Sequence, residues 1–119
     1  MSNSHWALVV AFIRKREICW YDSVGTAGHK YTNAILKWLQ QESWVTYGYR
    51  LDPKAWVCKD EPCPQQVGTI DCGIYAMLNA DLLLADLPLD YDPTSIPNFR
   101  LVIALNILNP VEHGLNYPF

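Results

Sequence analysis

Residues 72–85 run almost without a polar side chain, broken only by Asn79 and Asp81. A helix that is apolar on every side has no face to offer water, so it belongs in the interior with other elements laid against it. That requirement constrains everything else: the remaining segments must wrap one central helix. At 119 residues, half of them hydrophobic and 18% charged, the chain has enough apolar material for one core without disulfide support.

The segments ahead of that helix read as strands and one further helix. Residues 5–13 (HWALVVAFI) form a β-rich, nearly continuous apolar run, which predicts a strand covered on both faces. Arg14, Lys15 and Arg16 mark a turn, and residues 17–22 (EICWYD) are rich in β-branched and aromatic types. So short a link predicts an antiparallel hairpin. Gly25 and Gly28 punctuate a loop. Residues 31–42 then carry Tyr31, Ile35, Trp38 and Leu39 at helical spacing, an inward stripe with Lys30, Lys37, Gln40 and Gln41 outside it. A short strand is expected at 55–58, before a loop containing Pro62 and Pro64. Beyond the central helix, whose start offers Asp71 as a capping carboxylate, residues 88–97 read as a Pro- and Asp-rich link. Residues 99–108 read as a final amphipathic helix stopped by Asn109 and Pro110, and 109–119 as an irregular tail. The expectation is one α+β domain over residues 1–119, with a small mixed or antiparallel sheet packed on a buried central helix.

Charge and cysteine usage narrow the function classes. A formal net charge of −3 supplies no basic face for a phosphate backbone, so no nucleic-acid partner is expected. No apolar run approaches the roughly 20 residues of a membrane helix. The run at 7–13 is followed by its basic residues, the reverse of a secretory signal, so an intracellular protein with no membrane partner is expected. The four cysteines, Cys19, Cys58, Cys63 and Cys72, then read as free thiols. Cys58 and Cys63 have the spacing of half a zinc site, but no second ligand pair accompanies them, and neither metal nor cofactor is expected.

Chemistry enters with Cys72. A cysteine on the first turn of a helix meets unpaired N–H groups and the positive end of the helix dipole, which favour the nucleophilic thiolate. A thiol nucleophile needs a base, and the base an orienting acceptor. His5 opens the first strand and Asp22 closes the second, so an antiparallel hairpin brings both to one sheet edge although 17 residues separate them. Gln65 and Gln66 lie on a short loop before Cys72, where a side-chain amide beside the cysteine N–H can stabilise an oxyanion. Each residue taken singly also has an ordinary reading: a buried structural cysteine, a terminal histidine, a turn carboxylate, two polar loop residues.

Taken together these residues carry a resemblance. His5-Trp6 opening a strand, Tyr21-Asp22-Ser23 closing the next, Pro64-Gln65-Gln66, and Asp71-Cys72-Gly73-Ile74-Tyr75 resemble, in order and spacing, the ubiquitin-like protease family of SUMO (sentrin)-specific cysteine proteases. The resemblance spans residues 5–108 and implies a papain-like cysteine protease fold, its C-terminal part. It implies Cys72 as nucleophile, His5 as general base and acid, Asp22 as the group orienting the imidazole, and Gln66 as the oxyanion-hole glutamine. Trp6 matches the aromatic that lines a narrow tunnel for the substrate's Gly-Gly tail.

The implied activity is a cysteine-type peptidase or isopeptidase cutting after the terminal glycine of a ubiquitin-like modifier, SUMO before others, in the nucleus or cytoplasm. The implied partners are that modifier and its conjugates; the oligomeric state is not implied. Two departures accompany the match. Val67-Gly68-Thr69-Ile70 stands where the family has an Asn-Gly pair, and the chain starts four residues before the histidine, whereas family domains carry a longer front part. The second departure keeps an alternative open: an impaired fragment or pseudoenzyme that binds a modifier without cutting it.

Overall fold

The structure, a computed structural model, describes residues 4–109. Strands β1 (Leu8–Phe12) and β2 (Glu17–Tyr21) pair antiparallel, with Leu8 opposite Tyr21 and Phe12 opposite Glu17. The tight link between them places Arg16 in the left-handed region at φ 56°. Strand β3 (Val57–Asp60) lies on the other side of β2 and runs parallel to it. Parallel neighbours need a crossover, and helix α1 (His29–Tyr47) supplies it. The sheet is therefore mixed, in the order β1-β2-β3, with Ile18, Cys19, Trp20 and Tyr21 of its middle strand buried.

Burial corrects the first strand. It begins at Leu8, three residues after His5, and its residues are half-buried because β1 is an edge of the sheet, covered incompletely on its faces. The third strand lies two residues later than the 55–58 expectation, after a 3-10 turn at Pro53–Ala55 capped by Asp52.

Helix α1 is longer than residues 31–42 and its inward stripe differs. Thr32 is buried, with Ile35, Leu36, Leu39 and Ser43 half-buried along the same side. Tyr31 and Trp38, expected inside, are more than half exposed, although Tyr31 stacks on Trp20 at 5.0 Å between centroids. Gly28 precedes the helix pressed against the Trp20 indole, where a Cβ would fall 2.0 Å from the ring. Gly48, left-handed at φ 63°, ends the helix by donating its N–H to Ser43 and Trp44 carbonyls.

Helix α2 (Cys72–Leu84) buries Cys72, Tyr75, Leu78, Asn79 and Leu82. Of these, Tyr75, Leu78 and Leu82 form the main apolar cluster with Tyr91 and with Ile96 and Phe99 of helix α3 (Ile96–Leu108). The all-round burial expected of α2 does not hold: Met77 and Leu84 are exposed, because among the described residues packing covers one side of the helix. Pro97, expected in the link, sits in the first turn of α3, where a missing N–H costs nothing. Of the tail at 109–119, residues 110–119 lie outside the described residues, as does the Pro110 stop. No described helix is long and apolar enough to cross a membrane.

Candidate active site

The hairpin and the start of α2 meet at one end of the sheet. Tyr21 ends β2, so Asp22 emerges beside the segment entering β1, and its carboxylate Oδ1 lies 2.7 Å from His5 Nε2. The Asp22 side chain is almost fully buried, while that of His5 is about one-third exposed. Asp22 also organises its own loop. Oδ1 accepts the Val24 N–H at 3.0 Å, and Oδ2 accepts the Thr26 N–H at 3.0 Å together with the Thr26 hydroxyl. Burial alone would raise this carboxyl, but the hydrogen bonds from Thr26, Val24 and His5 outweigh it and hold Asp22 below its ordinary value. It is thus an anion at neutral pH, with Nε2 of His5 committed to it and Nδ1 left as the other ring nitrogen.

Cys72 opens α2 and is buried. The residue after His5 ties the two segments: the Trp6 N–H points to Cys72 Sγ at 3.4 Å across 66 positions of sequence. The Trp6 ring is two-thirds exposed and stands over Gly73, with Cδ1 3.6 Å from where a Cβ on that glycine would be.

The two glutamines separate by their partners. Gln65 Nε2 donates to the Asp22 carbonyl at 3.0 Å and the Cys63 carbonyl at 3.1 Å, which occupies both amide hydrogens in bracing the loop. Gln66 receives the Ser23 hydroxyl on Oε1 at 2.6 Å and donates from Nε2 to the Gly68 carbonyl at 2.7 Å. One hydrogen of its amide remains. A backbone bond from Gln66 N–H to the Ser23 carbonyl, 2.8 Å, fixes this loop against the Asp22 turn.

Two clefts adjoin here. One, about 690 Å³, is lined by His5, Ser23, Val24, Gln65, Gln66 and Gly68; the other, about 410 Å³, by Trp6, Ile70, Cys72, Gly73, Met77 and Arg100. Ser4 and Thr69 line both. Cys63 is half-buried near Asp22, where burial and then the Asp22 carboxylate push its thiol up, so it stays neutral. Cys58 is in β3, and among the described residues no three His, Cys, Asp or Glu side chains are arranged to hold a metal ion.

Sequence reasoning missed three contributors. Ser23, which orients Gln66, stood in the motif without a role. Thr26 gave no signal beyond a polar residue four after Asp22. Arg100 had one available, as the sole charge in the otherwise neutral α3, and it reaches the residue preceding Cys72. In addition, Asp71 was expected to cap α2; it occupies the capping position, but its carboxylate makes no cap hydrogen bond and turns to Arg100 instead.

Known proteins resemble this arrangement in sequence and in fold. Residues 1–114 match the model of the Ulp1 protease family, C-terminal catalytic domain. Sentrin-specific protease 2 of Homo sapiens is 32% identical over 108 residues, covering 88% of this chain and 18% of that protein. Ubiquitin-like-specific protease 1 of Saccharomyces cerevisiae is 36% identical over 112 residues, covering 91% and 17%. The solved C-terminal Ulp1 protease domain in complex with Smt3, the yeast ortholog of SUMO, superposes with a TM-score of 0.73 at 32% identity, over 91% of this chain and 48% of that one. The chain thus spans under a fifth of these curated relatives and about half of the solved domain. With the family model matched over nearly its whole length, the chain belongs to the Ulp1 protease family, in the region of its C-terminal catalytic domain.

Proposed function

We propose that this chain forms, as one domain, the nucleophile-bearing part of a thiol peptidase that cuts the peptide or isopeptide bond after the C-terminal glycine of a ubiquitin-like modifier of SUMO type. Its working place is the nucleus or cytoplasm, where such conjugates are found. One observation carries the reading: a buried, ionised Asp22 holds the His5 ring at 2.7 Å, while the very next residue donates its N–H to the Cys72 sulfur. A carboxylate-held imidazole whose neighbour in sequence touches the thiol supports nucleophilic catalysis by cysteine, which needs a base for the thiol and an acceptor that orients the base.

In this mechanism the ring nitrogen Nδ1 of His5, not engaged by Asp22, takes the Cys72 proton. The thiolate attacks the carbonyl carbon of the terminal glycine. Negative charge builds on its oxygen, where the Cys72 N–H and the remaining hydrogen of Gln66 Nε2 receive it. Collapse breaks the C–N bond, and His5 returns the proton to the departing amine. Water then hydrolyses the thioester, with His5 again carrying the proton. Trp6 over Gly73 forms a wall along which a Gly-Gly tail passes, and a bulkier side chain there would meet the indole.

The test uses a SUMO-type modifier bearing an electrophilic C-terminal warhead. A covalent adduct on Cys72, absent in Cys72→Ala, is the expected result. No adduct, under conditions where the longer relatives react, would overturn the reading. A second reading, a modifier-binding module with an impaired site, draws on the Gln66 amide being turned to the Gly68 carbonyl at 2.7 Å. It predicts saturable binding without an adduct, unchanged by Cys72→Ala.

A further inference from the structure

Arg100 stands on α3, 28 positions after the nucleophile, yet it closes on the segment that presents it. Its Nε donates to Asp71 Oδ1 at 3.0 Å, one terminal nitrogen bonds the same oxygen, and that nitrogen also donates to the Ile70 carbonyl at 3.2 Å. Asp71 is the capping residue of α2, and its carbonyl accepts the Tyr75 N–H at 3.1 Å, the first bond of the helix. An aspartate in that position ordinarily turns its carboxylate onto the N–H groups of the first turn. Here it does not, since Arg100 holds it away.

We propose that Arg100 is a positioning residue: by drawing off and neutralising the Asp71 carboxylate, it keeps the first-turn N–H groups of α2 open for anionic charge at Cys72. The reason is competitive. Those N–H groups, with the helix dipole, are the donors that favour a thiolate at the helix start. A capping carboxylate would occupy them, and its unneutralised charge, one residue from the sulfur, would oppose negative charge forming there. Arg100 also fixes the backbone ahead of Cys72 through the Ile70 carbonyl, so the helix start is held from outside by two groups. The pair is part-exposed, with the arginine side chain 45% accessible, so its contribution to stability is small. A reaction effect is then separable from unfolding.

This inference rests on the peptidase reading for its purpose, and its test has an arm that does not. In the full chain, the rate at which iodoacetamide alkylates Cys72 is followed at one pH by mass mapping of the labelled peptide. Wild type is compared with Arg100→Gln, Arg100→Lys, Asp71→Ala and the double variant Arg100→Gln/Asp71→Ala, with hydrolysis of a SUMO-type modifier carrying a C-terminal fluorogenic amide in parallel. Arg100→Gln should slow Cys72 alkylation about five- to tenfold, the effect of one nearby charge in a partly solvated site. The Lys variant should retain most of the rate, and Asp71→Ala, which leaves neither charge nor capping oxygen, should restore it in the double variant. Where hydrolysis is measurable, kcat should fall with KM unchanged. Equal alkylation of wild type and Arg100→Gln, or no restoration by Asp71→Ala, would overturn the proposal and leave the peptidase reading standing. Absent hydrolysis in wild type with the alkylation pattern intact would do the reverse. A rise in KM alone, with alkylation unaffected, would make Arg100 a substrate contact and refute the positioning role.

Discussion

His5 Nε2 and Asp22 Oδ1 lie 2.7 Å apart, one ahead of β1 and the other just past β2. The hairpin brings them near: with Leu8 opposite Tyr21, the segment entering β1 and the turn leaving β2 lie at the same end of the ladder. The carboxylate takes Nε2, and Nδ1 is the nitrogen to which the proposed mechanism assigns the proton transfer.

Asp22 links this contact to acid stability. Its carboxyl is lowered in the folded chain, so its contribution is fully present above the ordinary carboxylate value near about 4 and is lost as pH falls through the lower folded value. Urea midpoints between about pH 6 and 2.5 should drop for wild type below about pH 4, with a shallower drop for Asp22→Ala. Parallel curves would remove Asp22 from the acid transition.

The two neighbouring glutamines should respond differently. Gln66→Ala is expected to slow acylation about 10² to 10³-fold, the usual cost of one oxyanion donor, with KM little changed. Gln65→Ala should lower stability by about 1 kcal/mol per lost loop bond and leave acylation less affected, because its amide already serves the Asp22 and Cys63 carbonyls. Single-turnover kinetics with the modifier amide, set beside urea unfolding, distinguish the two.

Ser23 should act through Gln66. Its hydroxyl fixes which end of the amide carries the oxygen. Ser23→Ala removes one hydrogen bond, worth about 1 kcal/mol, and should cut kcat roughly fivefold. In a Gln66→Ala background the same change should have no further effect on kcat.

Gly28 is a packing position. An added methyl would overlap the Trp20 indole, which is held by a 2.7 Å bond from Nε1 to the Thr26 carbonyl and cannot withdraw cheaply. Gly28→Ala should therefore destabilise the fold by about 1–3 kcal/mol, read from a lowered urea midpoint.

What the sequence made legible followed from local rules. The hairpin came from two β-rich runs around a basic turn, and α2 came from an apolar stretch of helical length. Both bounds are close to those observed. The motif residues also arrived with their order intact, since order is a property of the sequence. What escaped was non-local. The parallel pairing of β3 depends on where α1 delivers the chain, and nothing in residues 57–60 encodes a partner. Tyr31 and Trp38 were read inward because they are large and apolar, yet the sheet receives the neighbouring stripe of Thr32, Leu36 and Leu39. The Asp71 cap failed for the same reason: the capping preference is local, and an arginine 29 positions away overrides it.

The most direct measurement is the alkylation rate of Cys72 by iodoacetamide in wild type and in His5→Ala at the same mildly acidic pH, with Cys58 in the same digest as an internal reference. If the imidazole takes the Cys72 proton, Cys72 should label well ahead of Cys58 in wild type, and His5→Ala should abolish that lead. Equal labelling of Cys72 in the two proteins would contradict a shared proton between His5 and Cys72, and with it the thiol chemistry assigned to this site.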